Sequence, residues 1–200
     1  MGEALAAGLI SAGWAEPTGI TIVEPIDERR EDLKNAYPGF RVITSLEKSR
    51  DVLVAVKPNQ IQNVCESLSV APPERLISIA AGVTITTLEN SLPPETSVIR
   101  VMPNTPAMVN EGMSVLSPGT HASLTDIEWA VSIFAAVGET AVLEERLMNA
   151  VTGVSGSGPA YVFALAEALV NAGIDEGLGY EDADLLVRQK RPGRSGSYPA

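Results

Sequence analysis

The feature that most constrains this chain is a repeating alternation of short apolar runs and helical patterns. "ITIVE" (20–24) reads as a strand, and "DERREDLKNAY" behind it as a charged helix closed by Pro38 and Gly39. "RVIT" is a further short strand. "DVLVAVKP" (51–58) is continuously apolar, the pattern of a strand buried on both faces, and Pro58 stops it. There follow the helix "NQIQNVCESL", the strand "LISIAAG" (76–82), the helix "TITTLENSL" and the strand "SVIRVMP" (97–103). Past the loop "PNTPAMVNEG" come "MSVLS", the helix "LTDIEWAVSIFAAVG" and the strand "TAVLEE". Such alternation predicts a doubly wound, Rossmann-like α/β domain over residues 1–145, its sheet parallel and covered by helices.

Both ends depart from that scheme. From Arg146 to about Lys190 there is a helix, a glycine loop and the helices "AYVFALAEALVNAG" and "YEDADLLVRQK", with no strand. This predicts a partial all-α domain over 146–190, followed by an irregular tail, "RPGRSGSYPA" (191–200). A doubly wound domain normally opens with a strand, yet this chain starts in the helix "GEALAAGLISAGW", with Leu5, Leu9 and Ile10 on one side. The first strand of the sheet is therefore expected to be missing. The strands at 20–24 and 51–58 should then face a gap of unpaired backbone groups.

Composition removes several functions. A net charge of −11 excludes a binder of nucleic-acid phosphates, which needs clustered Lys and Arg. With 45% hydrophobic and 20% charged residues the chain reads as globular and soluble, and "ALAAGLISAGW" is too short to span a bilayer. The single cysteine, Cys65, cannot form an internal disulfide; it reads as a buried structural thiol suited to a reducing cytoplasm. The single histidine, His121, falls in a loop away from every motif, and no set of metal ligands is evident.

Open α/β sheets bind ligands beyond the carboxyl ends of their strands. If Gly2 is the last glycine of a GxGxxG fingerprint, Glu24 falls where a ribose-binding carboxylate belongs, and the first helical turn offers free amides to a pyrophosphate. The alternative is an N-capping glycine and a surface glutamate. Glu24 favours NADH, whereas Arg29 and Arg30 suit a 2′-phosphate or simply face solvent; the sequence leaves the choice open. Ala80, Ala81 and Gly82 admit a flat ligand; Lys57 offers a donor or is simply solvated before a helix; and Asn104 in "PNTP" has a rigid backbone on either side that positions a polar group or makes a plain tight turn. In "VTGVSGSGPAYVF" (151–163), Ser157 or Gly158 suits the cap and Pro159 the first helical position. Small side chains there admit an anion such as a substrate carboxylate, or serve only close domain packing. Thr152 and Ser155 either bond the substrate or cap, and Tyr161 reads as core.

Together, "AVKPNQ", "SIAAGVTITTLE", "VIRVMPNTPAMVNEG" and "VTGVSGSGPAYVFALAEAL" resemble the pyrroline-5-carboxylate reductase family, from Gly2 to about Gln189. The resemblance implies reduction of 1-pyrroline-5-carboxylate to L-proline by NADPH or NADH, in a homo-oligomer joined through the helical domain. It implies a cofactor site lined by Gly2, Ala55, Val56, Lys57, Pro58, Ala80, Ala81 and Gly82. Met102, Pro103 and Asn104 are expected beside the nicotinamide, and Glu145 is similar to a residue that touches the cofactor from the helical domain. Gly156, Ser157, Gly158 and Pro159 are expected to bind substrate, with Thr152 and Ser155 as candidate catalytic groups. Met1 to Leu5 look like the end of the family's "GGGNMGEAL", and the tail stands where an "SPGGTT"-like segment would follow. As given, the chain is expected to be incomplete and unable to turn over. Rival readings are another two-domain nicotinamide oxidoreductase, acting on a 2-hydroxyacid or linked to cofactor F420, and a non-catalytic dinucleotide-binding fragment.

Overall fold

A computed structural model of the chain describes residues 1–189, so the expected tail at 191–200 lies outside the described residues. The chain divides into two compact units, Met1–Gly156 and the part that begins at Ser157.

The first unit is built from α1 (Gly2–Ser11), β1 (Thr21–Val23), α2 (Asp27–Ala36), β2 (Arg41–Ile43), β3 (Asp51–Val54), α3 (Ile61–Val70), β4 (Arg75–Ser78), α4 (Ile85–Asn90), β5 (Ser97–Pro103), β6 (Gly112–Pro118), α5 (Leu124–Ala135), β7 (Gly138–Val142) and α6 (Met148–Val151). β1 and β2 form a two-stranded parallel sheet, while β3-β4-β5-β6-β7 form a five-stranded one in that order. Among the described residues no ladder joins the two sheets: β1 pairs only with β2, and β3 only with β4. The strands expected to face a gap are thus each paired on one side alone.

The expected all-parallel sheet is corrected to a mixed one. β6 runs antiparallel to β5, with Val101 opposite Leu116 and Pro103 opposite Ser114. The reason is the connection. Between Pro103 and Gly112 there is only a 3₁₀ turn, Thr105–Val109, and a parallel return needs a crossover of about a dozen residues. Two strands are also shorter than their apolar runs. The run 51–58 is strand only to Val54, and 76–82 only to Ser78, because both chains leave the sheet where its edge loops begin.

Helices close both faces. Leu5 and Leu9 of α1 pack with Phe134 and Val137 against Ile77, Ile99 and Leu116. Ile61, Cys65 and Leu68 of α3 join Leu88 and Leu92 over Val54, Leu76 and Val98 on the other side. Burying a side chain the size of Phe134 contributes about 2–3 kcal/mol, so these layers supply the main driving force for the sheet. Cys65 is buried as expected, and that burial pushes its thiol above the ordinary range. At the amino ends of the strands, Arg75 pairs with Asp51 at 2.6 Å and lies 3.9 Å above the Trp129 ring.

The helix α6 does not lead into the expected glycine loop. Thr152–Gly156 continues it as a π-helical turn. Met148 and Val151 anchor this segment against Val115, so its backbone stays wound through the glycines.

The second unit contains α7 (Gly158–Asp175) and α8 (Tyr180–Arg188), packed closely enough that a Cβ on Gly173 would lie 3.3 Å from that of Ala183. The expectation that Tyr161 is core is corrected. Tyr161, Val162, Phe163 and Leu165 are 60–70% exposed. An α-helix apolar all round needs more neighbours than one short partner helix can supply.

Candidate active site

The carboxyl ends of β3, β4 and β5 bring three predicted loops to one end of the larger sheet. After β3, Ala55, Lys57 and Pro58 are exposed and Val56 is half-buried, with a 3₁₀ turn starting at Pro58. After β4, Ala80 is buried while Ala81 and Gly82 are exposed, and the amide of Ala80 donates to the Ser78 hydroxyl at 3.3 Å. Gly82 has φ +76°, a conformation that a side chain disfavours, and a Cβ there would meet open space. Glycine therefore bends the loop while leaving room over it.

The start of α1 faces the same strand end. A Cβ on Gly2 would lie 2.8 Å from the Cβ of Ala55, so only glycine permits this approach. Among the described residues no side chain caps α1; the Leu5 amide donates to the Met1 carbonyl at 3.0 Å, and the three amides before it have no intrahelical acceptor. Glu24 lies just past β1, where the fingerprint reading puts it, and its Oε1 accepts from the Ile26 amide at 3.0 Å. Arg30 donates to the Glu24 carbonyl at 2.9 Å and pairs with Asp27, and Arg29 pairs with Glu3 in the first turn of α1. Neither arginine is a free solvent charge.

These features fit a dinucleotide. An uncapped helix start suits a pyrophosphate, Glu24 or the arginines suit a ribose or its phosphate, and the open backbone at Gly82 suits a flat ring. The residues that would hold it are those around Gly2, Ala55, Lys57 and Gly82. One cavity, about 490 Å³, adjoins two of these loops between α3 and α4, lined by Pro58, Ile61, Cys65, Val83 and Thr87.

A second group forms around the end of β5. Asn104 donates from Nδ2 to the Ser155 carbonyl at 3.3 Å and its hydroxyl at 3.4 Å, while its Oδ1 accepts from the Met113 amide at 2.8 Å. Met102 lies against the same turn, its Cε 2.8 Å from where a Cβ on Gly156 would stand. Pro103 is buried beneath. Thr152 Oγ1 donates to the Met148 carbonyl at 2.8 Å, so its proton is spent inside the helix and its oxygen is left as an acceptor. Ser155, accepting from Asn104, keeps its proton to donate outward. In the second unit, Ser157 precedes α7 without a side-chain cap and Pro159 is its second residue, not the first as expected.

Glu145 sits in the 3₁₀ turn before α6, and its Oε1 accepts from the Ile85 amide at 2.7 Å and from Arg100 Nη1 at 2.9 Å. Sequence reasoning missed Arg100. The signal was present: a lone arginine inside the apolar strand "SVIRVMP" must find a buried acid.

The fold and these loops together define the class, a Rossmann-like dinucleotide-binding chain with a helical C-terminal part. Residues 1–82 match the family model described as NADP oxidoreductase, coenzyme F420-dependent, and residues 145–196 match pyrroline-5-carboxylate reductase dimerisation. The pyrroline-5-carboxylate reductase of Methanosarcina acetivorans is 40% identical over 94% of this chain and 72% of its own length. That of Mycobacterium leprae is 39% identical over 96% of the chain and 68% of its own length. The structure of a pyrroline-5-carboxylate reductase from Coxiella burnetii superposes with a TM-score of 0.83 at 32% identity, covering 93% of this chain and 71% of that one. A Plasmodium falciparum pyrroline carboxylate reductase with NADP bound gives 0.78 at 29%, covering 94% and 71%. This chain belongs to the pyrroline-5-carboxylate reductase family.

Proposed function

We propose that the chain reduces 1-pyrroline-5-carboxylate to L-proline with NADPH or NADH, as the last step of proline formation. The observation that carries this reading is the junction of Asn104 with the Thr152–Gly156 turn, within one compact unit and beside loops suited to a nicotinamide dinucleotide. When bound, the reduced nicotinamide supplies the hydride. A protonated cyclic imine is already electrophilic, so the chain's own task is to align the ring and exclude water. Ser155 donates its free proton to the substrate carboxylate. Thr152, its proton bound to Met148, accepts from the N–H of the imine. Asn104 sets the direction of Ser155 by occupying its acceptor side. Gly156 closes the proposed substrate-binding turn without a side chain.

The matched dimerisation region, 145–196, supports self-association, and the exposed apolar residues of α7 supply the surface for it. The domain roles follow: residues 1–145 hold the cofactor, and 146–190 serve substrate and assembly. Among the described residues no helix is long and apolar enough to cross a membrane. We place the activity in the cytoplasm, a reducing compartment suited to the single, buried Cys65 thiol.

The test uses the purified 200-residue chain. NADPH oxidation is followed with pyrroline-5-carboxylate, proline is identified by chromatography, and NADPH, NADH and proline are titrated calorimetrically. The reading expects both a cofactor and proline to bind, and it fails if neither does. Stoichiometric proline formation at the expense of NADPH is the outcome the reading expects.

A further inference from the structure

We propose that Arg100 and Glu145 form a positioning pair that fixes the Ala80–Gly82 loop for the dinucleotide; this rests on the cofactor reading above. Arg100 lies in the middle of β5 with its side chain 9% exposed, between buried Ile99 and Val101. A guanidinium so placed requires an acid, and Glu145 supplies one at 2.9 Å. The same carboxylate oxygen accepts from the Ile85 amide at 2.7 Å. That amide belongs to the first residue of α4, one of the donors a helix start cannot satisfy within itself.

The consequence lies in the loop. Residues 79–84 connect β4 to α4, held at one end by Ala80 on Ser78 and at the other by Thr84, which accepts from Thr87 at 3.1 Å, and by Glu145. Without Glu145 the α4 end loses its tie to β5, and Gly82 loses a fixed height over the sheet. Glu145 also opens the segment that continues through α6 to Ser155, so one carboxylate registers the cofactor loop against the proposed substrate turn. No ligand contact by Arg100 is needed for this role.

The experiment compares the unaltered chain with Glu145→Ala and with the double variant Arg100→Met, Glu145→Ala. NADPH affinity is measured by fluorescence titration, exchange of the Ile85 amide in the ligand-free chain by NMR, and melting temperature by calorimetry. Glu145→Ala should speed Ile85 exchange, lower the melting temperature and weaken NADPH about tenfold, the equivalent of one lost charge-assisted bond. The double variant removes the stranded buried cation, so it should recover much of the melting temperature without recovering NADPH affinity. Affinity that returns together with stability, that stays within about twofold throughout, or that falls while Ile85 exchange is unchanged, as direct contact of Glu145 with the cofactor would give, overturns the inference. Failure of the unaltered chain to bind NADPH instead overturns the functional reading on which it rests.

Discussion

Asn104 holds Ser155 from the side, its amide nitrogen 3.3 Å from the Ser155 carbonyl and 3.4 Å from the hydroxyl, while its oxygen accepts from Met113 at 2.8 Å. One side chain thus joins the end of one strand, the start of the next and the π-helical turn. Asn104→Asp keeps the acceptor for Met113 and removes the donor to Ser155. The expected outcome is a rise in the Michaelis constant for pyrroline-5-carboxylate of about tenfold, larger than the effect on NADPH affinity. Steady-state kinetics and NADPH titration check it.

Two glycines of the same turn should respond in opposite ways. A Cβ on Gly156 would come 2.8 Å from Met102 Cε, whereas one on Gly153 would meet nothing within 4 Å. Gly156→Val should push Met102 aside and raise the substrate Michaelis constant. Gly153→Ala should leave it unchanged and stabilise the chain by about 0.5 kcal/mol through the unfolded state. Kinetics with chemical denaturation separates the two.

Asp126 provides a pH dependence. Burial pushes its carboxyl upward, but bonds from the Ser123 hydroxyl and amide and the charge of Arg75 outweigh it, holding the group below its usual range. A folded value below the unfolded one, about 3.9, contributes stability above that pH and loses it as pH falls through the folded value. Asp126→Asn should therefore cost about 1 kcal/mol at pH 7 through the damaged capping box, and flatten the fall in stability below about pH 4. Urea unfolding across an acid pH series measures this.

Self-association should depend on the exposed face of α7. Phe163 is 70% exposed in the single chain. Phe163→Glu should shift the sedimentation-equilibrium mass toward one chain, while the unaltered protein sediments as a dimer or larger. An unaltered protein that is monomeric at all concentrations would remove the assembly role from this helix.

Much of the fold was legible because alternation is a local signal. Apolar runs such as 97–103 mark strands wherever they pair, and β5 spans Ser97–Pro103 as read. Direction is not local. β6 turned back because "PNTPAMVNEG" holds no crossover helix, a cue visible in the letters but outweighed by the surrounding rhythm. Tyr161 was misread for a related reason: apolar letters record what a helix must cover, not whether its own chain covers it. Within the site, Gly2 and Gly82 were readable because only glycine fits those backbones. The tie from Asn104 to Ser155 was not, since the two lie far apart in sequence and their meeting depends on how Met148 and Val151 seat against Val115.

The reversal of β6 has an effect on how the site is made. Since the chain doubles back beside β5, the first amides of β6 stand next to the last residue before the turn, and a single asparagine can brace both legs of that hairpin corner. Had the ladder stayed parallel, the next strand would have begun at the opposite rim, about 17–20 Å away for strands of ordinary length, and the brace would have needed a donor from a remote loop. A rigid corner built from neighbours in sequence survives mutation elsewhere better than one assembled from distant parts.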